Sequence, residues 1–108
     1  MIAIIGSNDL ETPDDINLAV LPNGRVLISK NADENERVGL ENVLDNYRKD
    51  AKQAGDETIS TADILEMFAH RSNNGYADTY NVWLFDDDGG FYESVAKARE
   101  LIKSAGLK

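Results

Sequence analysis

Ile16-Asn17-Leu18-Ala19-Val20-Leu21-Pro22-Asn23-Gly24-Arg25-Val26-Leu27-Ile28-Ser29 is the stretch that decides the fold class. Two apolar runs, Ile16–Leu21 and Arg25–Ser29, flank Pro22-Asn23-Gly24. Proline presets φ for the first turn position, and Gly24 can take the left-handed conformation that closes a bulged hairpin. Ala19-Val20-Leu21 and Val26-Leu27-Ile28 show little polar alternation, so these strands are expected to be covered on both faces or to sit mid-sheet.

Upstream, Met1-Ile2-Ala3-Ile4-Ile5 reads as a first strand, followed by a turn-rich acidic loop over 7–15. Downstream, Leu40, Val43, Leu44, Tyr47, Ala51 and Ala54 form one apolar stripe, predicting a helix from about Asp33 to Ala54 that Gly55 stops. Ser60 and Asp63 have capping-box spacing, and Ile59 and Ile64 are spaced as a hydrophobic staple. These predict a second helix from Ser60 to about Arg71. Tyr80–Phe85 reads as a fourth strand. A last helix is expected over roughly Gly90–Ala105, burying Phe91, Val95, Ala98, Leu101, Ile102 and Ala105. The order β-β-β-α-α-β-α predicts an α+β domain over residues 1–108. It should be two-layered, with a four-stranded mixed or antiparallel sheet and helices packed on it. Strand–helix–strand units do not repeat, which counts against a doubly wound nucleotide-binding fold.

The chain has 108 residues, 42% of them apolar, and no Cys, so disulfides, thiolate metal sites and Cys nucleophiles are excluded. Twenty acids against 11 bases give a net charge of −9. That excess argues against direct nucleic-acid binding and against an anionic membrane. There is no signal-peptide pattern and no 18-residue apolar run, so the expected compartment is the cytoplasm (a host's, for a viral gene). The charge is uneven: residues 1–90 hold 18 acids and 7 bases, residues 91–108 hold 2 acids and 4 bases. Part of it complements helix dipoles, with Asp86, Asp87 and Asp88 ahead of the last helix and bases toward its end.

Two acidic loops stand out, Asp9, Glu11, Asp14 and Asp15 after the first strand and Asp86, Asp87 and Asp88 after the fourth. Were those strands parallel and adjacent, both loops would leave one end of the sheet. The seven carboxylates would then need a cationic partner, either a metal ion or a basic surface. Tyr76, Tyr80 and Tyr92 near such a rim would suit a protein interface.

Phe85-Asp86-Asp87-Asp88-Gly89-Gly90-Phe91-Tyr92-Glu93-Ser94 resembles the first motif of the haloacid-dehalogenase-like phosphatases, in which a strand ends in Asp-x-Asp-Gly-Thr. The resemblance implies Asp86 as phosphate-accepting nucleophile and Asp88 as general acid/base, both near Mg²⁺. Gly90 stands where that motif has Thr, Asp87 where it has an apolar residue, and the match covers ten residues. The stretch reads better as an Asp-rich cap on a Gly-rich strand-to-helix turn. It does not read as an EF-hand loop either, since its twelfth position is Lys97. His70, the single histidine, is expected on the surface in the last turn of the second helix.

With neither a nucleophile–base pair nor a phosphate loop, the leading expectation is a non-enzymatic binding protein with no cofactor. Its acidic surface would occupy a basic surface of a partner, such as a nucleic-acid-binding channel. Phage-encoded inhibitors of host defence and bacterial immunity proteins are similar in size and composition. The alternatives are a Mg²⁺-dependent carboxylate site at Asp86 and Asp88, and a homo-oligomer subunit with the hairpin or the Trp83 strand as its seam.

Overall fold

The computed structural model describes residues 1–7, 10, 12–30, 32–74, 81–88 and 90–108. Asp9, Glu11, Tyr76 and Tyr80 of the expected site lie outside the described residues. The strands are β1 (Ile2–Gly6), β2 (Ile16–Val20), β3 (Val26–Ile28) and β4 (Asn81–Phe85), and the helices are α1 (Glu34–Gln53), α2 (Thr61–Asn73) and α3 (Val95–Ala105). A short 3₁₀ turn, Pro13–Asp15, precedes β2.

The hairpin forms as its turn chemistry dictates. Gly24 N donates to the Leu21 carbonyl and Leu21 N to the Arg25 carbonyl, both at 2.9 Å. Gly24 has φ 86°, the left-handed residue that follows the turn. Strand order is β3-β2-β1-β4, and every pair is antiparallel.

Both sheet faces are covered, which is why the hairpin lacks polar alternation. Ala3, Ile5, Leu18, Val20, Val26 and Val82 face α1 and α2, meeting Leu40, Leu44, Tyr47, Ile64, Leu65 and Phe68. Ile2, Ile4, Ala19, Leu27 and Phe85 face α3 and its Ala98. The α+β class and the four-stranded sheet stand, whereas the expected two layers become three, helices lying on both sides. A bulge contributes to this. Ile5 pairs with Leu18 but Gly6 pairs with Ile16, so Ile16 and Asn17 together oppose one residue. The extra residue changes the phase of β2 and turns Ile16 toward the α3 side.

The first two helix starts are as expected. Asp33 accepts from Glu36 N at 3.0 Å and Ser60 from Asp63 N at 3.1 Å. The last helix begins later than expected. Its N-cap is Ser94, which accepts from Lys97 N, and Phe91 lies before it at 90% exposure, not on a buried face. Two edges remain in such a sheet, and each is occupied. At β3, Ile28 exchanges both backbone bonds with Lys108, while Arg37 donates to the carbonyls of Val26 and Lys108. At β4, Asn73 bonds to Val82. Most apolar side chains of the hairpin are buried in the chain's own core, with Leu21 and Ile28 partly exposed. No helix among the described residues is long and apolar enough to cross a membrane.

Candidate functional site

β1 and β4 are adjacent, but they are antiparallel, with Ile2 opposite Phe85 and Gly6 opposite Asn81. The loop after β1 therefore leaves one end of this strand pair and the loop after β4 leaves the other. The length of a five-residue strand, about 13 Å at some 3.3 Å per step, separates the two exits. Convergence of the two acidic loops required parallel strands, so the condition for it is not met.

At the β1 end, Asp15 serves the local structure. Its Oδ2 accepts from Thr12 N at 3.0 Å and from the Thr12 hydroxyl at 3.2 Å, and its carbonyl accepts from Ser7 N at 2.8 Å. Gly6 makes that crossing possible, because a Cβ there would sit 2.0 Å from the Asp15 carbonyl oxygen. Asp14 is exposed.

At the β4 end the three aspartates divide by role. Asp86 Oδ1 is 3.9 Å from the Met1 amino group, and Asp86 N donates to the Glu93 carbonyl at 3.0 Å. Asp87 Oδ1 accepts from Val95 N at 3.0 Å, so the carboxylate sits over the first turn of α3, where the helix dipole favours an anion. Asp88 is exposed. The Asp-rich cap read from the sequence is thus a physical contact made by Asp87. The phosphatase-like reading instead needs Asp86 and Asp88 to converge on a cation. Among the described residues no three His, Asp or Glu side chains come together as ligands for one metal ion.

The same turn holds aromatic surface. Phe91 is 90% exposed and Tyr92 39%, while Glu93 binds Lys97 through a 2.6 Å ion pair one helical turn away. Isolated exposed apolar side chains are ordinary on protein surfaces, and Val38 on α1 is another, at 50%. Below them Trp83 and Leu84 point to opposite faces, Trp83 toward α3 and Leu84 toward α1 and α2.

The remaining acids follow the helices. Glu36, Glu41 and Asp50 of α1 and Asp63 and Glu66 of α2 are exposed. Two intrahelical pairs neutralise part of this face, Glu34 with Arg37 at 3.2 Å and Asp45 with Arg48 at 3.6 Å. Between α1, α2 and the hairpin turn lies a cleft of about 210 Å³ bordered by Glu41, Asp45 and Arg48 over Leu44 and Ile64. Sequence reasoning treated the α1 acids as solvated surface and looked to the loops. It missed Gly6, Arg37 and Asn73 because each acts on a partner distant along the chain.

Compared with known protein families, with curated proteins and with solved structures, the chain matches none.

Proposed function

We propose that this protein is a small non-enzymatic binding protein that occupies a basic surface of a partner protein, such as a nucleic-acid-binding channel. The observation that carries this reading is the placement of charge. Residues 1–85 hold fifteen acids against seven bases, and the exposed acids of α1 and α2 lie on one side of the sheet. Such a face steers a cationic partner into encounter and repels nucleic acid itself. Asp14 and Asp88 are exposed in the turns after β1 and β4, and the turn that holds Asp14 lies against α3. Asp15 and Asp87 are better explained by the caps they form.

Partners captured at low ionic strength should be released as salt rises, because at about 1 M salt the screening length falls to about 3 Å. Replacing Glu41 and Glu66 by Lys should lower the association rate and flatten the salt dependence. Capture that is indifferent to salt and to both substitutions would overturn the proposal.

A further inference from the structure

Asn-Gly occurs twice in the chain, at Asn23-Gly24 and at Asn74-Gly75. At such a step glycine has no Cβ to shield its backbone nitrogen from the preceding carboxamide. The two asparagines are held differently. Asn74 caps the end of α2, and its Nδ2 donates to the His70 carbonyl at 2.7 Å. That bond ties down the group that would leave. Asn23 lies in the exposed hairpin turn, and there it is Oδ1 that is bonded, accepting from Arg25 N at 3.0 Å. Its Nδ2 has no hydrogen-bond partner among the described residues.

Negative charge develops on Oδ1 when a nucleophile adds to Cγ. A backbone N–H already aimed at that oxygen stabilises the charge where it forms. The nucleophile at hand is the Gly24 nitrogen, whose N–H donates to the Leu21 carbonyl at 2.9 Å. Opening of that one turn bond, a local event, frees it.

We propose that the folded protein deamidates spontaneously at Asn23, in preference to Asn74, and that the product reshapes the hairpin turn. Gly24 N gives its proton to solvent base and bonds to Asn23 Cγ. The Cγ–Nδ2 bond breaks, Nδ2 leaves as ammonia, and a succinimide ring remains. Water then opens the ring. Cleavage between the ring nitrogen and Cγ gives aspartate. Cleavage between that nitrogen and the main-chain carbonyl carbon gives isoaspartate, whose backbone runs through the β-carbon. Each event consumes one water and releases one ammonia. Both products put a new carboxylate on the rim of the cleft that Glu41 and Asp45 border, because Asn23 lines the same cleft. Aspartate keeps the turn, where it is a favoured residue. Isoaspartate lengthens the main chain between Pro22 and Gly24, so the bond from Gly24 to Leu21 is lost.

The whole chain is incubated folded in mildly alkaline buffer and, in parallel, unfolded in urea, and peptide maps follow each asparagine by mass. In urea the two Asn-Gly steps should convert at similar rates. In the folded chain Asn23 should convert about tenfold faster than Asn74, or more. The Asn23→Gln variant should stay intact at that position, since a longer side chain closes the larger ring slowly. Aged protein should melt below fresh protein. Asn23→Asp should melt with the fresh protein, which assigns the loss to isoaspartate and not to charge. Folded protein in which Asn23 survives while the urea-unfolded chain converts overturns the proposal. So does an Asn74 that keeps pace with Asn23, or a fully converted protein that melts with the fresh one. None of these readouts involves a partner, so salt-sensitive binding of a basic surface stands or falls separately.

Discussion

The Asn73 side chain binds both backbone polar groups of Val82. Its Nδ2 donates to the Val82 carbonyl at 2.9 Å and its Oδ1 accepts from Val82 N at 3.0 Å. An amide at the end of α2 thereby takes the place of a neighbouring strand on the outer edge of β4. Such an edge otherwise presents unpaired groups to any extended chain.

Asn73→Ala should therefore cost about 1–2 kcal/mol, the scale of two part-buried hydrogen bonds. It should also speed hydrogen exchange at the Val82 amide more than at Ile4, which is interior to the sheet. Urea denaturation and exchange measured by NMR check both expectations.

Gly6 and Gly24 separate two reasons for a glycine. A Cβ at Gly6 meets the Asp15 carbonyl oxygen at 2.0 Å, whereas at Gly24 it meets open space and the difficulty is φ 86°. Gly6→Ala should cost about 1–3 kcal/mol through forced displacement of the chain crossing. Gly24→Ala should cost about 1–2 kcal/mol, from left-handed backbone strain alone. Thermal melts of the two variants should rank Gly6→Ala as the more damaging.

The start of α3 carries two anchors, Ser94 to Lys97 N and Asp87 to Val95 N. Ser94→Ala should lose about 1 kcal/mol, as for other N-cap truncations. Asp87→Asn keeps an oxygen acceptor but removes the charge, and it should lose only the dipole contribution of about 0.3–1 kcal/mol. Asp87→Ala should lose more. Urea midpoints of the three variants give the ranking.

Phe68 and Phe91 are the two extremes of burial, at 0% and 90% exposure. Phe68→Ala should cost about 3–5 kcal/mol through loss of buried surface and the cavity left behind. Phe91→Ser should change stability by no more than about 0.5 kcal/mol, as for ordinary surface positions. Equilibrium unfolding of both variants checks the contrast.

Local chemistry made much of the fold legible in the sequence. The Pro22-Asn23-Gly24 turn, the Asp33 and Ser60 caps and the α1 stripe are each written within a few consecutive residues. The sense of β4 against β1 is not, because the long segment between them can return the chain in either direction. That single unknown decided whether the acidic loops met. Phe91 was placed on the last helix because its spacing to Val95 and Ala98 continues the helical stripe. The competing signals were Gly90, at φ 69°, and Ser94, a better N-cap, and together they start α3 four residues after Phe91. The bulge at Asn17 and the plug at Asn73 have no local signature, since each is defined by residues elsewhere in the chain.

The division of β1 between two faces has a consequence for the order in which the protein is made. Ala3 and Ile5 face the helices that follow soon after in the chain, but Ile2 and Ile4 face α3. Ile2 and Ile4 are thus covered later than Ala3 and Ile5, their neighbours on the same strand. They wait for a helix encoded about a hundred residues later, some 5–20 s at ordinary elongation rates. During that interval the nascent chain exposes isoleucines that the finished protein hides completely.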